Sequence, residues 1–104
     1  MIKKFLLGFF FAVAVSAPTQ AQEVLAQQGH MIADEWCSGC HQVEEGGVLR
    51  DSAPSFLDLV KTRSKDLGWV RLRLQNPLYP MTGINLSNAQ IDTIVAYFRS
   101  LQEE

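Results

Sequence analysis

The clearest hydrophobic pattern lies at the C-terminal end of the chain. Apolar side chains recur there at spacings of three and four residues, as one face of an α-helix requires: Ile91, Ile94, Val95, Phe98 and Leu101. Ser87 with Gln90 three residues later is a capping-box pattern, which predicts that this helix begins after Ser87. Because such a stripe must pack against another apolar surface, we expect this helix to cross an earlier one.

Three weaker helical patterns precede it. A first helix is predicted from about Glu23 to Cys37, and its stripe comprises Leu25, Gly29, Ile32 and Trp36. Ser55 suits the start of a short second helix, whose apolar set is Phe56, Leu59 and Val60. Ser64 is the predicted N-cap of a third helix, which Pro77 should end and in which one face carries Leu67, Val70 and Leu74.

Residues 76–85 contain two prolines and one glycine, so we expect an irregular loop between the third and fourth helices. No segment shows a convincing period-2 pattern of the kind that predicts a β-strand. The patterns together predict an all-α domain of about four helices joined by long loops.

The N-terminal segment has the organisation of a secretory signal peptide. A basic start at Lys3 and Lys4 precedes thirteen mainly apolar residues, 5–17, and then a short polar stretch that ends at Ala21. We therefore predict cleavage after Ala21, which divides the chain into a signal peptide, 1–21, and one domain, 22–104. An uncleaved membrane anchor is the alternative, but a spanning helix needs about 20 apolar residues.

The charge and the size of the predicted domain limit which partners and cofactors it can have. Removal of residues 1–21 takes away two of the nine basic residues and none of the eleven acidic ones, which leaves a net charge of −4. That balance argues against nucleic acid as a partner. Domains of this size are marginally stable unless a disulfide, a metal or a cofactor adds to the core. The chain contains two cysteines, so either one disulfide or a cofactor can meet this need.

The two cysteines form the most informative motif, Cys37-Ser38-Gly39-Cys40-His41. In an exported protein, C-x-x-C-H is typical of covalent haem attachment: both thiols bond to the porphyrin, and the adjacent histidine binds its iron. A structural disulfide, a thioredoxin-like redox pair and half of a zinc site are alternatives. The redox pair would lie near a βαβ pattern, and the zinc site would need a second C-x-x-C or a pair of histidines; the sequence contains neither. We therefore predict one covalent haem c held by Cys37 and Cys40, with His41 as an iron ligand.

A second axial ligand must come from a part of the chain that can reach the other face of the haem. His30 and Met31 lie on the helix that leads into the motif, so they would have to double back across the ring. Met81 follows Pro80 on the irregular loop, which can wrap around the haem. Methionine and histidine are the usual ligand pair of cytochromes c. We predict Met81 as the second ligand, and the alternative is that it only fills a gap in the core.

The chain resembles the class I cytochrome c family, especially its small bacterial periplasmic members with one haem. The resemblance rests on Gly29, the haem motif, Ala53-Pro54-Ser55-Phe56, Pro80-Met81 and the final Ala96-Tyr97-Phe98. It implies that the terminal helices cross near Gly29 with Tyr97 close by, and that about four helices pack around the haem. It also implies that the Pro54 carbonyl accepts a hydrogen bond from the His41 ring.

One position departs from the family pattern, and four others stay open within it. Ala33 stands where the family often has an aromatic residue, and Trp36 is expected to fill the helix crossing or to cover the haem edge instead. Partners of the haem propionates are not assigned by the resemblance, and the candidates are Trp69, Arg71, Arg73 and Tyr79.

An iron with both axial positions filled has no open site for a substrate. The predicted function is therefore one-electron transfer in the periplasm between redox partner proteins, and not an enzymatic reaction. One alternative is an electron-transfer subunit that stays bound to a larger dehydrogenase or oxidase. Another is a haem ligand sensor or a peroxidase, which would require Met81 to be labile.

Overall fold

The computed structural model describes residues 19–63 and 66–103. Within this part of the chain the secondary structure is helical, without strands, which confirms the predicted all-α class. The described residues form four α-helices: α1 (Gln20–Trp36), α2 (Phe56–Thr62), α3 (Gly68–Gln75) and α4 (Asn88–Gln102). A short 3₁₀ turn, Met81–Gly83, precedes α4.

Both long helices begin with a capping box. The Ser87 hydroxyl accepts a hydrogen bond from the Gln90 amide at 3.1 Å, and the Gln90 side chain accepts one from the Ser87 amide at 2.8 Å, as predicted. Thr19 and Gln22 form the same arrangement at the start of α1. Helix α1 therefore begins at Gln20, three residues before the predicted Glu23, because Thr19 satisfies its first amide groups.

The N-terminal prediction stays a prediction. Residues 1–18, which carry the basic start and the apolar run, lie outside the described residues, and the predicted cleavage after Ala21 falls in the first turn of α1. Within residues 19–63 and 66–103, no helix combines the length and the apolar character needed to cross a membrane.

The start of α3 differs from the prediction. Its N-cap is Leu67 and not Ser64, and Ser64 itself lies outside the described residues. The Gly68 amide donates to Asp66 Oδ1 at 2.9 Å, so a side chain just ahead of the helix takes over part of the capping role. Leu67 and Val70 are buried as their shared face predicts, and the helix ends at Gln75, before Pro77.

Helices α1 and α4 pack against each other, and Gly29 lies where they approach most closely. A Cβ atom added at Gly29 would lie 3.0 Å from Tyr97 Cβ and would overlap the Thr93 carbonyl. The two backbones can therefore come this close only because position 29 has no side chain.

The stripe predicted for α1 is buried only in its middle. Leu25 is 38% exposed and Trp36 is 51% exposed, whereas Gly29 between them is buried; Ala33, which lies outside the predicted stripe, has no exposed surface. Ala33 belongs to the core cluster together with Ile91, Ile94 and Phe98 of α4. A small residue thus fills the crossing at the position where the family often has an aromatic one, and Trp36 does not take over that role.

Candidate functional site

The cysteine motif folds as a tight turn at the C-terminal end of α1. Cys37 is the C-cap of the helix, and its carbonyl accepts hydrogen bonds from the Cys40 amide at 3.1 Å and the His41 amide at 2.9 Å. Both cysteines and the histidine thus extend from one turn of backbone. This compactness follows from the spacing of the motif, since two intervening residues are enough to close such a turn.

The loop after the motif holds this turn in place. Arg50 Nε donates to the Ser38 carbonyl at 2.8 Å, and Ser52 Oγ donates to the Cys40 carbonyl at 3.3 Å. The Phe56 amide donates to the Gln42 carbonyl at 2.9 Å, where α2 begins. These contacts give hydrogen-bond donors to three backbone carbonyls in and next to the motif. No sequence pattern indicated that Arg50 and Ser52 would have this role.

The ring of His41 is oriented by the backbone of the same loop. Its Nδ1–H donates to the Pro54 carbonyl at 2.6 Å, so the hydrogen bond implied by the family resemblance is present. The Phe56 ring lies 5.3 Å from the imidazole, centroid to centroid, at a tilted angle. A proton on Nδ1 leaves Nε2 with a free lone pair, which is the form of histidine that binds a metal.

A cavity of about 380 Å³ opens beside the motif turn, and its volume is in the range of cofactor pockets. All four helices contribute to its predominantly apolar wall. The cavity brings together Cys37, Cys40, His41, Pro54 and Met81, although these residues are spread over 45 positions of the chain. The rest of the wall comprises Trp36, Ser52, Ala53, Phe56, Leu59, Trp69, Val70, Arg73, Leu74, Pro80, Ile84, Ile94 and Phe98.

Met81 reaches the cavity from the first position of the 3₁₀ turn. Its amide donates to the Leu78 carbonyl at 2.7 Å, and its carbonyl accepts from the Ile84 amide at 2.9 Å, so both backbone polar groups of Met81 are hydrogen-bonded. The other two candidate ligands lie elsewhere. Met31 is 70% exposed, and the His30 ring is stacked on Tyr97, and neither lines the cavity.

The structure disfavours the alternative functions of the motif. Neither cysteine is in a disulfide. Burial, and to a lesser extent the neighbouring Cys40, raises the pKa of the Cys37 thiol to about 11, whereas thioredoxin-like pairs depend on a lowered pKa. Within the described residues, no group of three converging His, Cys, Asp or Glu donors includes either cysteine, so the motif does not form a zinc site.

The four candidate partners of the haem propionates, Trp69, Arg71, Arg73 and Tyr79, differ in their contacts and positions. Arg71 Nη1 pairs with Asp92 at 2.7 Å, and the Trp69 indole N–H donates to the Arg63 carbonyl at 2.7 Å. Tyr79 is 88% exposed and is absent from the cavity wall. Arg73 is the arginine of α3 that lines the cavity. Its side chain can place a positive charge at an otherwise apolar wall.

Several wall residues were not identified as site residues from the sequence. Ile94 and Phe98 belong to the α4 stripe, and Leu59 belongs to the α2 stripe, so hydrophobic periodicity marked them only as core. No sequence pattern identified Ile84 as a core or site residue. Trp36 lines the cavity, in agreement with one of its two expected roles, which was to cover the cofactor.

Comparison with known families identifies the family of the chain. The family model described as Cytochrome c matches residues 26–102, which is most of the chain and all four helices apart from the first turns of α1. Comparisons with curated proteins and with solved structures give no significant match.

Proposed function

Because the chain belongs to the cytochrome c family and therefore carries covalent haem c in an electron-transfer role, we propose that it is a periplasmic carrier of single electrons with His41 and Met81 as axial ligands. The observation that carries this proposal is the shared cavity. Two thiols, an imidazole and a thioether line one apolar pocket, and they are the donor types that hold haem in this family.

Cys37 and Cys40 are the proposed attachment points of the porphyrin. Their side chains come from one hydrogen-bonded turn, so a single rigid segment would present both sulfurs. The predominantly apolar wall fits the body of a porphyrin, and Arg73 fits its anionic propionates. The residues present therefore fit one haem.

His41 is the proposed ligand on the motif side. The Pro54 carbonyl holds the proton on Nδ1, which keeps Nε2 available as the metal-binding nitrogen and limits rotation of the ring. Pro54 is thus a positioning residue, since it acts through His41.

Met81 is the proposed second ligand. A thioether is a soft, neutral donor that favours reduced iron, so it raises the reduction potential relative to a nitrogen ligand. The hydrogen bonds of the Met81 amide and carbonyl restrict the movement of its backbone. When bound, haem supplies the centre that takes up and releases one electron. With its ligands held in this way, little of the protein has to reorganise when that electron enters or leaves.

The electron donor and acceptor are proposed to be other proteins that dock transiently. Large apolar side chains are exposed on α3 and on the loop that carries Met81: Leu72, Leu78 and Tyr79 are 63%, 59% and 88% exposed. Apolar side chains of this kind can exclude water from a small contact without forming a permanent complex. Permanent attachment to a larger redox enzyme remains the alternative, and co-purification with a stoichiometric partner would establish it.

Optical spectroscopy of the purified holoprotein tests the proposal directly. We expect the bands of haem c, retention of the colour by the polypeptide after acid extraction, and a weak long-wavelength sulfur-to-iron band in the oxidised form. Reduced protein should not bind carbon monoxide at neutral pH. Rapid carbon monoxide binding would instead indicate a labile Met81 and favour the sensor or peroxidase function.

A further inference from the structure

A second cluster of metal-ligating side chains lies outside the cavity. It comprises His30 and Asp34 of α1 and Glu44 of the loop after the motif, and their ligand atoms all lie within 4.8 Å of one another. His30 Nε2 is 2.9 Å from Glu44 Oε1 and 3.8 Å from Asp34 Oδ1. The electron-transfer function uses none of the three.

The imidazole of this cluster is held in a fixed orientation. Its ring stacks on the buried Tyr97 ring with a centroid separation of 4.6 Å and an angle of 5° between the planes. His30 and Asp34 are four residues apart on one helix, which places both on the same face. The nitrogen donor is therefore oriented before any ligand binds, and such orientation lowers the cost of binding.

The third donor comes from a constrained turn. The Gly47 amide donates to the Glu44 carbonyl at 3.1 Å, and Gly46 adopts a positive φ of 75° that closes the turn. Next to it, the Val43 carbonyl accepts a hydrogen bond from the Tyr97 hydroxyl at 2.6 Å. The backbone at Glu44 is thus tied to the same tyrosine that orients the His30 ring.

We propose that His30, Asp34 and Glu44 form a binding site for one divalent first-row transition-metal cation such as Zn²⁺. One imidazole and two carboxylates are ligands that such ions accept, and tetrahedral coordination at about 2.0–2.1 Å places neighbouring ligand atoms about 3.3 Å apart. The observed distances of 2.9 and 3.8 Å bracket this value. The side chains of His30, Asp34 and Glu44 are 35%, 56% and 45% exposed, so a cation has access and water can complete its coordination.

Metal binding requires the proton on His30 Nε2 to leave that nitrogen. Without metal, the Nε2–H group of His30 donates to Glu44; with metal, Nε2 must offer its lone pair, so that proton moves to Nδ1 or is released to solvent. The bound cation would connect α1 directly to the segment that follows His41. It would therefore stabilise the holoprotein against unfolding by mass action.

Calorimetric titration of the haem-loaded protein with ZnCl₂ tests this site. The motif cysteines cannot bind zinc in this form, because both are bonded to the haem. We expect one equivalent of zinc to bind, and zinc at about ten times its Kd should raise the thermal midpoint by about 5–10 °C. The variants His30→Gln, Asp34→Asn and Glu44→Gln should each weaken binding by about tenfold or more. The matched variants Glu35→Gln and Glu45→Gln remove the same charge from neighbouring positions and should bind zinc as the parent protein does.

Three outcomes would overturn the proposal. They are no zinc binding, equal weakening by the neighbouring variants, and equally tight binding of Ca²⁺, which prefers oxygen ligands and has little use for an imidazole. NMR of the diamagnetic reduced protein adds a readout of geometry, because zinc bound at Nε2 should shift the signals of the His30 ring protons. Haem spectra recorded alongside show whether the haem site is intact, so failure of the zinc site and failure of the electron-transfer proposal are distinguishable.

Discussion

The hydroxyl of Tyr97 donates a hydrogen bond to the Val43 carbonyl at 2.6 Å, across 54 positions of the chain. Tyr97 is buried in α4, and Val43 lies two residues after His41. One side chain of the last helix therefore fixes the backbone that leads away from the haem motif. The crossing of α1 and α4 is thereby connected to the position of His41.

Replacement of Tyr97 by phenylalanine tests this connection. Tyr97→Phe keeps the aromatic ring but leaves the Val43 carbonyl without its donor, so we expect the free energy of unfolding to fall by about 1–3 kcal/mol. Denaturant unfolding followed by circular dichroism measures the change. Tyr79→Phe removes the same group from a side chain that is 88% exposed and should stay within about 0.5 kcal/mol of the parent protein.

Gly29→Ala should destabilise the helix crossing. The new methyl group would overlap the Thr93 carbonyl, and the two helices can make room only by moving apart. We expect a loss of about 1–3 kcal/mol, or more if the core cannot adjust, as seen for other overpacked sites. Gly83→Ala is the control, because nothing lies within 4 Å of a Cβ at that position. Equal stability of the two variants would contradict close contact at Gly29.

Met81→Ala should open one coordination position of the iron. The sulfur-to-iron band should disappear, the reduced protein should bind carbon monoxide, and the reduction potential should fall because a soft ligand is lost. Absorption spectra and a redox titration measure these effects. Met31→Ala removes a thioether that is 70% exposed and outside the cavity, so its spectra and potential should match those of the parent.

Arg73→Gln should lower the reduction potential without changing the axial ligands. A positive charge at the cavity wall favours the reduced, less positively charged iron. From Coulomb's law in a partly solvated site, we expect a decrease on the order of tens of millivolts. The exposed Arg99 of α4 provides the control, since Arg99→Gln makes the same charge change away from the cavity wall. A decrease of the same size in both variants would exclude a specific role for Arg73.

A double variant, Cys37→Ser with Cys40→Ser, should lose most of its helical structure. The cavity of about 380 Å³ lies among all four helices, and without a haem to fill it a core of this size is marginal. Far-ultraviolet circular dichroism measures the helix content of this variant. An intact helical signal would mean that the polypeptide folds without its cofactor.

Some features of the fold were predictable because they depend on residues close together in the chain. The Ser87 capping box and the α4 stripe are set by spacings of a few residues, and the structure contains both. The same holds for the motif, whose short spacing closes one turn. The start of α3 was not predictable in this way. A serine at position 64 satisfies the local rule for an N-cap, but α3 begins at Gly68 behind Asp66 and Leu67.

Features that depend on long-range packing were decided only by the tertiary structure. Periodicity placed Trp36 on the apolar stripe of the first helix and left Ala33 outside it, but the crossing buries Ala33 and leaves Trp36 half exposed at the cavity. The contact of His30 with Glu44 and Tyr97 likewise joins residues of three separate segments.

The sequence by itself determined the all-α class, the start of the last helix and the candidate residues for haem binding, since each follows from local spacing and side-chain chemistry. The tertiary structure decided which of these residues line one cavity, which backbone group orients His41, and which charged side chains converge elsewhere. The physical reason is that such contacts depend on how helices distant in sequence fit together, and no short segment contains that information.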